Sequence, residues 1–260
     1  MYHWLAVIAA LAGSDPVSLK PSTQWTVDYQ QNACVLSRHF GLPSGSIELA
    51  FEPSMVNDGG RLAFVLPHKG GVGIVQGKTN IALQPSGKTV TATFVSVPLK
   101  ERRSIVMVVG AQDVDDLVAA KTIGVQLERG VPIILQTGGM TGARQALRTC
   151  QEDLARQWGV DPADKIPDSD IPAIGTWFDG DAYPGEAIRS GAEGRTLALI
   201  TIRDDGKVDT CRTLVSSGTK ALDQAACRAA MRKARFPRVE RDPKAKLRWL
   251  VVPVNWNLAS

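Results

Sequence analysis

Four cysteines and three histidines are the residues of this chain with the most distinctive chemistry: Cys34, Cys150, Cys211, Cys227, and His3, His39, His68. No two cysteines have C-x-x-C spacing and no histidine completes a ligand set, which argues against a zinc or haem site. An even cysteine count suits disulfides, and four cysteines can pair in more than one way. Local geometry favours 34–150 and 211–227, one bridge in each half of the chain. The second would tie a strand to the helix that follows it, a loop closure worth roughly 3 kcal/mol. The alternative is four buried free thiols.

Other constellations carry less. No Gly-x-Ser-x-Gly elbow is present, and His39 and His68 have no neighbouring Ser, Cys or Asp that would make them bases. The run from Gly70 to Thr79 resembles a phosphate loop, but Val72 stands where a glycine is needed. The following Asn80-Ile81-Ala82-Leu83 reads as strand where that loop should open a helix. A glycine-rich hairpin is the better reading. Gly138-Gly139-Met140-Thr141-Gly142 could hold an anion at a helix start, but reads more simply as a helix entry capped by Thr137 or Thr141. The pairs Asp115-Asp116 and Asp204-Asp205 sit in helix-start and turn contexts rather than as an acid/base couple. We therefore expect no enzyme, no cofactor and no metal.

The elements that position these residues fall into two groups. Residues 25–29, 33–40, 47–51, 62–66, 73–75, 80–83, 89–97, 105–109, 123–127 and 131–135 read as short strands, many with period-two alternation. Residues 114–121 read as a short helix with Asp113 as its N-cap. A longer helix is expected over 141–158, where Ala143, Ala146, Leu147, Cys150, Leu154 and Trp158 form one apolar stripe. Residues 24–158 thus predict a mainly antiparallel sheet domain closed by one helix, of unknown role. Residues 159–181 carry Pro162, Pro167, Pro172 and six aspartates, and predict a linker. Residues 182–260 predict a second α+β domain: a strand over 196–202, a turn at Asp204-Asp205-Gly206, a second strand to Val215, an alanine-rich helix from Leu222, and a last strand over 247–258.

The chain has 260 residues, 44% hydrophobic and 22% charged, with net charge +4. That is ordinary for a globular protein and does not point to nucleic acid. Nine Lys/Arg between Arg228 and Arg248 form the one basic stretch. It suits a solvated face, or peripheral contact with anionic lipid or peptidoglycan. Residues 4–12 are an apolar run of nine, shorter than the roughly 20 residues that span a bilayer. Ala10-Leu11-Ala12 fits a signal-peptidase site, so residues 1–12 read as a signal peptide and the protein as exported to the periplasm. The alternative is an uncleaved inner-membrane anchor facing the periplasm.

The last third carries a resemblance. Tyr183-Pro184-x-x-Ala187-x-x-x-Gly191-x-x-Gly194, Asp205-Gly206-x-Val208, Ser216-Ser217-Gly218, Leu222-Asp223-x-Ala225-Ala226 and Ala234-Arg235-Phe236 occur in order. Together they resemble the C-terminal domain of the TonB energy-transducer family, with Cys211 and Cys227 resembling its disulfide-bearing variant. The resemblance implies two helices on a small antiparallel sheet. It also implies binding by strand addition, in which an extended segment of an outer-membrane protein pairs with an open edge strand. The matching edge is 247–258. Leu250, Val252, Val254, Trp256 and Leu258 would pack on the helices, and Leu247, Trp249, Val251, Pro253 and Asn255 would form the partner-binding set. Pro253 cannot donate to a ladder, so it either interrupts strand addition or guards the edge.

These expectations combine into a periplasmic binding or adaptor protein whose partner is an envelope or outer-membrane protein segment. The alternatives are a TonB-type transducer anchored by its N-terminus, an envelope enzyme using the first domain, and a structural envelope protein using the basic stretch. An open edge also allows a strand-exchanged dimer.

Overall fold

A computed structural model describes residues 15–42, 45–55, 57, 59–68, 73–127, 130–240 and 247–258. The expected signal peptide lies outside the described residues, as do positions 241–246 of the basic stretch. The chain divides into two compact units, Met1–Ser54 with Asp58–Gln151, and Met55–Asn57 with Glu152–Ser260.

The first unit is a ten-stranded sheet. Its strands are β1 (Val17–Leu19), β2 (Thr26–Tyr29), β3 (Cys34–Leu42), β4 (Gly45–Pro53), β5 (Gly60–Pro67), β6 (Val75–Gln84), β7 (Thr89–Pro98), β8 (Arg102–Val109), β9 (Thr122–Val125) and β10 (Ile133–Leu135). They run in the order β1-β10-β9-β6-β7-β8-β5-β4-β3-β2. Every pairing is antiparallel except β1 with β10. The chain just after β1 then pairs with β3: Ser22 N–H donates to His39 O at 2.9 Å and Gly41 N–H to Lys20 O at 3.2 Å. One end of the strand order is thereby joined to β3, next to the other end, and the sheet closes on itself. Closure removes open edges, which long antiparallel sheets otherwise expose.

Alternation explains which side is inside. Leu36, Phe40, Leu49, Leu62, Phe64, Leu83, Ile105 and Met107 are all fully buried, every second residue along their strands. Arg103 lies in the same interior row, and its guanidinium donates to Ser96 Oγ and to Gly73 O. The two strand segments expected at 73–75 and 80–83 are one strand, β6, and Gly77-Lys78-Thr79 lies within it.

Helix α1 (Ala111–Ala119) differs from expectation at its start. Its N-cap is Gly110, without a side-chain cap, and Asp113 sits within the first turn, paired with Lys88 at 2.9 Å. An ion pair across the helix start takes the carboxylate that capping would have used. Helix α2 (Thr141–Gln157) buries Leu147, Cys150 and Leu154, while Ala146 is exposed. Cys150 bonds to Cys34 on β3, with 5.5–6 Å class geometry given by a Cα separation of 6.0 Å. The division between the two units falls inside this helix.

The second unit holds a three-stranded antiparallel sheet, β12-β11-β13, built from β11 (Gly194–Ile202), β12 (Val208–Val215) and β13 (Arg248–Trp256). Helices α3 (Gly185–Arg189) and α4 (Lys220–Lys233) complete it. Leu222, Ala225, Ala226, Ala229 and Ala230 of α4 share a core with Ile200, Ile202, Leu250, Val252, Val254 and Trp256. Alanines at three- and four-residue spacing let the helix lie close on the sheet. Cys211 on β12 bonds to Cys227 on α4.

Residues 159–181, read from their prolines and aspartates as a linker, form four short 3-10 helices: Pro162–Asp164, Asp168–Asp170, Ile174–Trp177 and Gly180–Ala182. Ile166 and Trp177 are buried in the core of this unit, and Ile171, Ile174 and Phe178 pack against it. The apolar residues scattered between the prolines decide this, because each gains by leaving water.

Candidate docking edge

β13 has β11 as its neighbour in the sheet and stands at the sheet's edge. Its register runs from Gly194 opposite Trp256 to Ile202 opposite Arg248. Leu250, Val252, Val254 and Trp256 enter the helical core as the alternation requires. The expected partner-binding set is not a uniform surface. Leu247 and Asn255 are exposed and Pro253 is half-buried, but Trp249 and Val251 are 2% and 0% exposed. The indole N–H of Trp249 donates to Asp161 O at 2.6 Å.

Backbone direction matters more than side chains for strand addition. In a strand, the N–H and C=O of one residue point to the same side, and neighbouring residues alternate. Trp249 O accepts from Ile166 N–H at 3.0 Å, on the side away from β11. The odd-numbered residues of β13 therefore turn their peptide groups outward, and the even-numbered ones pair with β11. Pro253 is odd-numbered. Its missing N–H costs the β11 ladder nothing, and its carbonyl still faces outward. Val251 and Asn255 supply outward donors on either side of it. A proline at that position removes one outward donor and keeps its outward carbonyl.

A partly buried polar relay ties β13 to β11 and α4. Trp256 Nε1 donates to Thr196 Oγ1 at 3.1 Å, and Thr196 Oγ1 donates to Asp223 Oδ1 at 2.8 Å. Asp223 also accepts from Ser217 N–H and from the hydroxyls of Ser216 and Ser217. Burial pulls this carboxyl upward, but the hydrogen bonds from Ser216, Ser217 and Thr196 outweigh it and hold it below the usual carboxylate range. One carboxylate thus joins β11, the turn after β12 and the first turn of α4. Sequence reading placed Asp223 at the helix start but did not anticipate its reach to Thr196, which only pairing in space supplies.

The remaining candidates fall outside this edge. His39 Nδ1 lies 3.3 Å from Ser46 Oγ between β3 and β4. Asp116 pairs with Lys88 and Asp115 with Arg144. Asp205 accepts from Lys207 N–H at 3.0 Å and shapes the hairpin turn. At the glycine-rich entry to α2, Gly138 and Gly139 have φ of 69° and 86°, and Thr137 Oγ1 donates to Ala120 O.

The C-terminal unit is a small α+β fold in which β13 pairs with β11 on one side and meets Lys165 through an isolated bridge on the other. Residues 180–258 match the family described as the Gram-negative bacterial TonB protein C-terminal, so the C-terminal unit resembles the TonB C-terminal domain. The chain is 37% identical over 76 residues to Protein tonB2 of Pseudomonas aeruginosa, covering 29% of this chain and 28% of that protein. It is 39% identical over 79 residues to Protein TonB of the same organism, covering 30% of this chain and 22% of that protein. The chain thus matches less than a third of either relative's length. No solved structure matches it significantly. The family match leaves the closed sheet unit outside it.

Proposed function

We propose that this protein is an exported, periplasmic binding or adaptor protein that captures an extended segment of an outer-membrane protein along β13. The observation that carries the reading is the outward turn of the odd-numbered peptide groups of β13, with Pro253 among them. Main-chain pairing gives affinity without requiring particular side chains in the partner. Two disulfides, one in each unit, fit an exported protein. A second reading, energy transduction, is favoured by the names of the two relatives. Both readings use the same edge, and they differ in what the rest of the protein does.

The test is site-specific photocrosslinking in intact cells. A benzophenone amino acid in place of Asn255 is expected to yield adducts with outer-membrane proteins, whereas the same group in place of Thr213, exposed on β12 at the opposite side of the sheet, is not. Adducts from 213 alone, or from neither position, would rule the edge out. Collapse of the proton gradient separates the two readings: adducts of a transducer are expected to change with it, and those of a passive adaptor to persist.

A further inference from the structure

The first part of the β13 edge is permanently covered. Lys165 forms a parallel bridge to Trp249, and the Ile166 N–H donates to Trp249 O at 3.0 Å. This neighbour is a fixed part of the unit. Ile166 lies in the same core as Trp177, Leu250 and Val252. The indole of Trp249 donates to Asp161 O, and Asp161, Asp164, Lys165 and Asp168 carry further interactions. Val251 is the next residue with an outward peptide group. It is 0% exposed, so its amide is shut off from solvent together with its side chain. Exposure returns only beyond it: Pro253 is half-buried, and Asn255 and Asn257 are exposed. Among the described residues, no strand pairs with the outward side of 253–256.

We infer that the docking edge is only the last part of β13, from Pro253 onward, and that it takes a short extended peptide segment carrying a bulky apolar side chain. This rests on the reading of β13 as the docking edge. The outward groups on offer are Pro253 O and the N–H and C=O of Asn255. Each bond to them replaces one made to water and adds little by itself, so these rungs alone hold a partner weakly. Apolar contact has to supply the rest. Apolar surface stands at the same end of the strand. The partly buried ring of Phe178 meets Trp256 edge on at 6.3 Å, and Tyr183 meets it at 5.3 Å. Specificity then shifts from the backbone to the partner side chain that reaches Phe178. So short an edge also gives unrelated strands little to pair with.

Photocrosslinking along the outward side of the strand tests this footprint. Benzophenone in place of Asn255 or Asn257 is expected to give adducts with outer-membrane proteins at least fivefold above those from Leu247, which is exposed but precedes the covered part. Equal yields from 247 and 255 would mean pairing along the whole strand, and would overturn the inference while the docking reading stands. Adducts from none of the three would remove the docking reading and this inference with it. Adducts joining two copies of the chain would put a second protomer in the partner's place and also overturn it. Phe178→Ala is expected to lower the yield from 255 at least threefold with an unchanged unfolding midpoint; an unchanged yield would overturn the apolar requirement. Should that variant unfold, amide exchange on the unaltered protein decides, and it needs no partner. Val251 is expected to exchange as slowly as Val252, and Asn255 at least tenfold faster. A Val251 rate equal to that of Asn255 would extend the open edge past Pro253 and overturn the inference.

Discussion

At the scale of single residues, Asp223 is the best test of how the docking unit is held. Its carboxylate accepts four hydrogen bonds from Thr196, Ser216 and Ser217. Bonds to a charged acceptor are worth more than neutral ones, so Asp223→Ala is expected to destabilise this unit by about 2 kcal/mol, measured by urea denaturation. The pH dependence has a definite sign. A carboxyl held lower in the folded state contributes its stability above the unfolded value of about 3.9 and loses it as pH falls through the folded value. Wild type should therefore lose stability below about pH 4, and Asp223→Ala should lose less over the same range. Gly206 offers a steric test. It has φ +82°, and a Cβ there would stand 2.1 Å from Phe236 O. Gly206→Ala is expected to cost about 2 kcal/mol or more, read as a lower denaturation midpoint. The glycine itself is plain in the sequence as part of a turn, but the carbonyl that excludes a side chain comes from a residue 30 positions away.

At the scale of elements, the bridge from β12 to α4 is the clearest case where local reading and structure meet. Cys211 and Cys227 are separated by 16 positions, across one turn and half a helix. Replacing both by serine is expected to lower the stability of the C-terminal unit by about 3 kcal/mol, seen as a lower unfolding midpoint without change in the fold. The last strand was equally legible, since Leu250, Val252, Val254 and Trp256 alternate without interruption. What alternation could not reveal is that Trp249 and Val251, on the opposite face, are buried as well. Residues 159–181, at the start of this unit, are the least legible. Prolines and aspartates mark a chain that cannot form long regular elements, and they do mark one here. They say nothing of whether Ile166 and Trp177 find a core, because that depends on where the core is.

At the scale of the whole molecule, each unit has its own core and its own disulfide. Serine at both Cys34 and Cys150 is expected to accelerate amide exchange in the closed sheet, at Leu36 and Leu49 for instance, and to leave the β11–β13 ladder amides unchanged. The Cys211/Cys227 pair should do the converse. Exchange mapped by mass spectrometry checks both, and acceleration everywhere in either variant would contradict the division. Sequence by itself marked most of the strands, because period-two alternation is a local consequence of burying one face, but not the three-residue β1. It marked the long helix α2 through its apolar stripe, favoured the cysteine pairs that form, and showed the likeness of the last third to a known module. Tertiary structure alone decided three things. It closed the large sheet, since the hydrogen bonds of residues 20–22 to β3 carry no side-chain signature. It set which peptide groups of β13 face outward, since direction follows from pairing register. It also set residues 165–166 against Trp249, since a backbone contact of that kind depends only on where two distant segments meet.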